Sequence, residues 1–199
     1  MTGFVPIPGE TPIDDLSGLK VKGISTRAQL NEVEAENIRK ATVKYLAAKP
    51  TRRMAGFDLP WALRLHLEMF GDVWAWAGTV RTTDTNIGVP PEQIQVRLKC
   101  LLDDLAFWEK QKLDLMEQTA MLHHRAVQIH PFKNGNGRWA RLLTNIWRRV
   151  HDAALTEWPE KTIGTESDHR GEYLAAIQAA DAGDLGPLLN LHKRFTPSR

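Results

Sequence analysis

Within twelve residues, His130-Pro131-Phe132-Lys133-Asn134-Gly135-Asn136-Gly137-Arg138-Trp139-Ala140-Arg141 brings together a base, a glycine-rich turn and two cations. Two glycines flanking Asn136 let successive backbone N–H groups converge into a concave anion nest. A helix that starts at the turn aims its partly positive end at the same point. Arg138 and Arg141, three apart, share one helical face and can reach one anion together. From Met121 to His151 there are six Lys or Arg and no Asp or Glu, a field suited to a polyanion such as a nucleoside triphosphate. His130 stands at the other lip of the turn. A side chain with a reference pKa of about 6.5 can accept a proton near neutrality, as a general base beside a phosphate must. Pro131 stiffens the turn, and Phe132 is expected to anchor it in the core. Taken singly, a Gly-x-Gly is ordinarily a helix end, a His before Pro a capping residue, and an Arg pair a solvated face. Their concentration in one acid-free segment favours a phosphate or nucleotide site.

The elements that must position this segment read as helices. Thr26 and Gln29 form a capping-box pattern, followed by Leu30, Val33, Asn37, Ala41 and Tyr45 at helical spacing up to Pro50. Asp58 and Pro60 announce a second helix, with Leu63, Leu67, Phe70 and Trp74 on its expected inner face and Gly78 as its end. Residues 79–90 are rich in Thr and Val, interrupted by Asn86 and Gly88 and stopped by two prolines. They read as a short hairpin, the one β candidate of the chain. Pro91 opens a helix carrying Ile94, Leu98, Leu101, Leu105 and Trp108, and Leu113 to Ile129 give another. Trp139, Leu142, Leu143, Ile146 and Val150 continue after the glycine turn. Tyr173, Leu174 and Ile177 mark a further helix, and Asp184 is expected to cap the last. Residues 1–24 read as an extended arm and 25–199 as one mostly helical domain.

The 199 residues suffice for one substantial core, and seven Trp supply large anchors for it. A formal charge of +2 does not call for nucleic acid or an anionic membrane. The basic face of Arg138, Arg141, Arg148 and Arg149 is more simply read as phosphate-facing at one end and solvated at the other. Cys100 is the only cysteine, so no internal disulfide forms and a reducing compartment fits. With no long apolar run and no signal-like start, a cytoplasmic location is expected, without membrane association.

The segment resembles the signature of the Fic family, H-P-F-x-(D/E)-G-N-G-R-x-x-R, at every fixed position but one. Residues 74–89, WAWAGTVRTTDTNIGV, resemble the lead into that family's target-binding flap. The whole chain is similar to the Fic subgroup called mobile mystery protein B. The resemblance implies an all-α fold, a Fic-type helical bundle with a short β-hairpin flap beside the active-site loop. It implies a protein nucleotidyltransferase of the AMPylation type, taking ATP or a related nucleotide as substrate and releasing pyrophosphate. His130 would deprotonate a Ser, Thr or Tyr hydroxyl of a target protein for attack on the α-phosphate. Gly135, Asn136 and Gly137 would hold the α- and β-phosphates, Arg138 the β- and Arg141 the γ-phosphate. The flap, Thr85, Asn86, Ile87, Gly88 and Val89, would align the target backbone to backbone.

Asn134 departs from the pattern, standing where the family has the acid that binds Mg²⁺. An amide oxygen can ligate the ion without contributing charge, so weaker metal binding or altered chemistry is implied. The alternatives are a phosphotransferase of the death-on-curing type, which Gly137 disfavours because that branch carries Lys there, and a catalytically weak nucleotide-binding regulator. Many members carry an inhibitory (S/T)-x-x-x-E-(G/N) helix whose Glu pairs with the second arginine. Thr162 to Glu166 match the spacing only in part, since Ser167 follows. An antitoxin-like inhibitor protein is the alternative source of control.

Overall fold

Among the described residues, four helices open on a side chain placed to accept from their first N–H groups. The computed structural model describes residues 16–163 and 167–198. Thr26 and Gln29 form the reciprocal capping box that opens α1, Arg27–Leu46. Asp58 accepts from the Trp61 amide at 2.8 Å to open α2, Leu59–Phe70. After a 3₁₀ turn, Pro91–Gln93, comes α3, Ile94–Lys110. Asp114 accepts from Met116 and Glu117 at the start of α4, Leu115–Ile129. Helix α5, Asn136–Val150, like α3, opens with no side-chain cap, here on Gly135, which leaves its first amides to another acceptor. The short α6, Glu160–Ile163, precedes α7, Asp168–Asp181, capped by Ser167, and α8, Gly186–Arg194.

The hairpin of α4 and α5 forms the centre. The α1–α2 pair packs on α5, while α3 and the α7–α8 pair pack on α4. Trp61, Trp74, Trp139 and Trp147 are fully buried, so four of the seven tryptophans fill the middle of a single core cluster. Burying a large side chain contributes roughly 1.5–3 kcal/mol, which makes these rings the main fasteners of the bundle. Among the described residues no helix is long and apolar enough to cross a membrane.

Two expectations need correction. In α2 the inward face is Trp61, Ala62, Leu65, His66, Met69 and Phe70, whereas Leu67 is 48% exposed. The helix also ends at Phe70 rather than near Gly78, and Trp74 is buried from the turn that follows, its indole N–H donating to Glu34 at 2.6 Å. Residues 79–90 form no strand. Leu19 with Trp74 is an isolated bridge, outside any named strand. Main-chain amides of the segment donate to the end of α4 and the turn after it rather than to a partner strand. Arg81 N–H donates to the Pro131 carbonyl at 3.0 Å, and Val89 N–H to the Ile129 carbonyl at 3.4 Å. The flap is therefore a loop strapped to the end of α4. Of the expected arm, residues 1–15 lie outside the described residues, while Lys20 and Ala75 bond across to Val73 and Gly18.

Candidate active site

His130 ends α4 in the left-handed region, φ 51° and ψ 60°, a conformation uncommon for a non-glycine residue. Arg81 braces it there. Its guanidinium donates to the carbonyls of His130 at 2.7 Å, Thr83 at 2.8 Å and Val89 at 2.5 Å. One buried cation thus ties both ends of the flap to the candidate base. Gly88, at φ +114°, allows the closeness: a Cβ there would stand 2.7 Å from the His130 Cβ and 2.6 Å from Arg81 Nη2. The His130 ring is 6% exposed. Burial pushes its pKa down to about 4; the Val127 carbonyl acts in the opposite sense and Arg81 adds to the fall. The ring is neutral near pH 7 and able to accept a proton.

The turn between His130 and α5 is built from within the core. Phe132 is completely buried, stacked on His66 with centroids 3.7 Å apart and set edge-on to Trp139 at 5.1 Å. His66 Nδ1 accepts from the Gly78 amide at 3.0 Å, so Nε2 carries the proton and donates to the Asn134 carbonyl at 3.0 Å. The Asn136 side chain points inward, exchanging bonds with the N–H and the carbonyl of Phe132, both at 2.8 Å. Its contribution to an anion is thus its backbone N–H. Gly135 adopts φ +78° against the Phe70 ring, where a Cβ would collide at 2.6 Å. The outcome is a rigid loop that presents the uncapped start of α5 to a cleft of about 1560 Å³. His130, Asn134 to Arg138, Arg141 and the flap residues Asn86 to Val89 line that cleft. Thr85, the remaining flap residue, bonds locally to the Ile87 carbonyl at 2.5 Å.

Neither arginine waits unpaired. Arg138 Nη1 donates to the buried Glu34 at 2.6 Å, with its guanidinium 4.8 Å from the Phe70 ring centre. Arg141 makes a two-pronged bond to Glu160, Nε at 2.7 Å and Nη2 at 2.6 Å. Burial opposes the Arg141 charge, but Glu160 outweighs it and lifts the pKa above the ordinary value. Arg148 is buried on the Ala154 carbonyl at 2.6 Å, so no continuous basic face runs along α5. Glu34, Glu160, Arg81 and His66 escaped sequence reading because each lies 19 to 104 positions from the group it holds. Thr162's side chain and Glu166, the partial inhibitory match, lie outside the described residues.

A cation does not fit the protein donors at this turn. Asn134 Oδ1 accepts from the Gly135 amide at 2.6 Å and from Arg138 Nη2 at 3.3 Å, and among the described residues no cluster of His, Cys, Asp and Glu could hold a metal. Donors already aim at the oxygen that would have to ligate.

Residues 56–147, from the end of the α1–α2 connection to most of α5, match the model of the Fic/DOC family. That stretch is similar to a Fic/DOC-family domain. Protein adenylyltransferase fic-1 of Caenorhabditis elegans is 33% identical over 132 residues, 64% of this chain and 25% of that protein. Protein adenylyltransferase Fic of Aedes aegypti is 28% identical over 156 residues, 75% of this chain and 30% of that protein. The chain thus spans about a quarter to a third of these curated relatives. A solved structure of Fic-1 from C. elegans, residues 134–508, superposes with a TM-score of 0.66 at 26% identity, covering 88% of this chain and 50% of that one. BepC of Bartonella tribocorum, solved with bound AMPPNP, has the same fold, at a TM-score of 0.68 and 22% identity over 92% of this chain and 94% of that one. The matched Fic/DOC stretch contains His130, the nest and both arginines, and it ends before Glu160.

Proposed function

We propose that this domain transfers a nucleoside monophosphate from ATP, or a related triphosphate, to a Ser, Thr or Tyr hydroxyl of a target protein. The observation that carries this reading is the meeting of His130, the uncapped start of α5 and two arginines around one cleft. The names of the adenylyltransferase relatives support it. In the step proposed, His130 takes the hydroxyl proton as the oxygen attacks the α-phosphorus. The bond from that phosphorus to the α,β-bridging oxygen breaks, and pyrophosphate leaves with the electron pair. Backbone amides of residues 135–137 hold the α- and β-phosphates, Arg138 the β- and Arg141 the γ-phosphate. The negative charge of a bound triphosphate raises the depressed pKa of His130 and improves it as a base.

The target is a protein whose extended backbone pairs with Thr85 to Val89; Arg81 holds this loop against His130, and Ile87 at its tip is 39% exposed. Magnesium, in this reading, arrives with the triphosphate and is held chiefly by its oxygens. Residues 25–199 act as one catalytic unit in the cytoplasm.

One observation favours a second reading, a domain with low basal turnover. Glu160 occupies the two guanidinium nitrogens that a γ-phosphate would use, and Glu34 occupies Arg138. Such control is internal and does not need an antitoxin-like protein. Incubation with α-labelled and γ-labelled ATP and a cell lysate separates the readings. Label on protein from the α position alone supports nucleotidyl transfer, label from the γ position alone means phosphotransfer, and none from either means a regulator.

A further inference from the structure

Behind Arg141, on the side away from solvent, lies a file of polar groups that the proposed reaction does not use. His123 of α4 is completely buried; its Nε2 is 3.0 Å from the Tyr173 hydroxyl of α7, and its Nδ1 is 2.9 Å from His192 Nε2 of α8. His192 Nδ1 is 3.1 Å from the Thr156 hydroxyl, which is 3.2 Å from that of Thr196. Thr196 Oγ1 bonds the His192 carbonyl at 2.7 Å. Trp158 closes the file edge-on, 5.2 Å from His123 and 4.8 Å from His192.

The direction of every bond is fixed from one end. A carbonyl only accepts, so Thr196 gives its proton to the His192 carbonyl and accepts from Thr156. Thr156, its proton committed, accepts from His192 Nδ1–H. Burial keeps both rings neutral, His192 at about 3 and His123 well below its ordinary value. The His192 Nε2 is then bare and accepts from His123 Nδ1–H, and His123 Nε2 accepts from Tyr173 O–H. The phenol oxygen, with its proton drawn inward, can only accept on its other side. That side faces Arg141: the guanidinium lies 5.6 Å from the ring centre and interacts with the hydroxyl. A Cβ on Gly137 would stand 3.3 Å from Arg141 Nη1 and 3.8 Å from the Tyr173 oxygen, which places both at the nest's second glycine. Glu160 meanwhile takes Nε and Nη2.

We infer that Tyr173, oriented through His123 and His192, is a positioning residue that aims Nη1 of Arg141 at the anion nest independently of Glu160. Arg141 is thus held in two halves. One is the buried file, whose hydroxyls and imidazole nitrogens are all bonded, of the kind that rigidifies and specifies a single arrangement. The other is Glu160, whose side chain is 52% exposed and free to withdraw. When a terminal phosphate displaces Glu160, the guanidinium stays in place. The nucleotide consequence rests on the proposed function; the geometry does not.

The test uses Tyr173→Phe, which removes only the hydroxyl, with thermal unfolding to check that the domain remains folded. In the nucleotide-free protein, the Arg141 guanidinium N–H resonances are expected to be protected in wild type and in Glu160→Ala, and broadened in Tyr173→Phe. ATP affinity of Tyr173→Phe is expected to fall roughly ten-fold while AMP affinity holds, as suits one lost bond to a charged group. In an Arg141→Ala background the same change should add nothing. Unchanged Arg141 resonances in a folded Tyr173→Phe protein, or equal losses for ATP and AMP with Arg141→Ala selective for ATP, overturn the inference. If the resonances respond but Arg141→Ala weakens ATP and AMP alike, the positioning stands and the γ-phosphate role assigned to Arg141 fails.

Discussion

The left-handed His130 is a residue held where it is by its neighbours, and its chemistry follows from that placement. His130→Ala should lower transfer on the order of 10²–10⁴-fold while leaving nucleotide binding intact, because the nest is backbone and is braced by Phe132 and Asn136. Calorimetric titration beside a transfer assay checks both halves, and a parallel loss of binding would mean that the ring is structural. Asn134 poses the opposite question. Asn134→Asp puts a negative charge beside Arg138 and where the family's metal ligand stands. Less magnesium should then be needed for half-maximal transfer, and metal-free nucleotide binding should weaken. A magnesium titration unchanged by the substitution would show that this position never approaches the cation. The contiguous residues of the site were legible because base, nest and arginines fall within one turn of sequence. Glu34 and Glu160 were not, since nothing local marks a carboxylate as the partner of an arginine in another helix.

At the scale of elements, the flap and α6 do what the sequence only partly announces. The Thr- and Val-rich composition of residues 79–90 suggests a hairpin, but Arg81 and the loop carbonyls take up its hydrogen bonds. Gly88→Ala forces a Cβ into His130 and Arg81, so it should lift the flap. Protein modification should fall while ATP binding is retained; an unchanged modification rate would separate the flap from target alignment. Helix α6 was missed because four residues after Pro159 carry no period to read. In the proposed reaction its Glu160, bonded to Arg141, would compete with phosphate. A partly exposed pair contributes about 1 kcal/mol, so Glu160→Gly should tighten ATP binding roughly five-fold without altering AMP binding. Equal affinity for ATP in variant and wild type would leave Glu160 without a competing role. The inner face of α2 was misread for a related reason: Leu63 and Leu67 fit the helical period, yet the wide tryptophan and histidine face won the core.

The whole molecule carries four buried rings, His66, His123, His130 and His192, whose pKa values burial lowers in every case. The folded chain therefore binds fewer protons than the unfolded one as pH falls below about 6.5. Their contribution to stability is complete above that value and is lost on acidification, by up to about 1.4 kcal/mol per pH unit for each ring until its folded pKa is reached. Urea unfolding at about pH 7.5 and about pH 5 should show a markedly lower midpoint in acid. Equal midpoints would mean that the rings are already solvated and that the file behind Arg141 is open. The bundle itself was readable because caps, tryptophans and period agree along most of the chain. The layering of α7 and α8 on α4 was not, since it rests on polar contacts between distant positions.

The central claim is that the cleft moves a nucleoside monophosphate with His130 as its base. Mass spectrometry of a target protein after incubation with ATP tests it most directly, comparing wild type with His130→Ala. The account predicts a hydroxyl residue enlarged by adenosine monophosphate in the first sample and unmodified in the second. A residue enlarged by phosphate alone, or an adenylylated residue formed equally by His130→Ala, would contradict it.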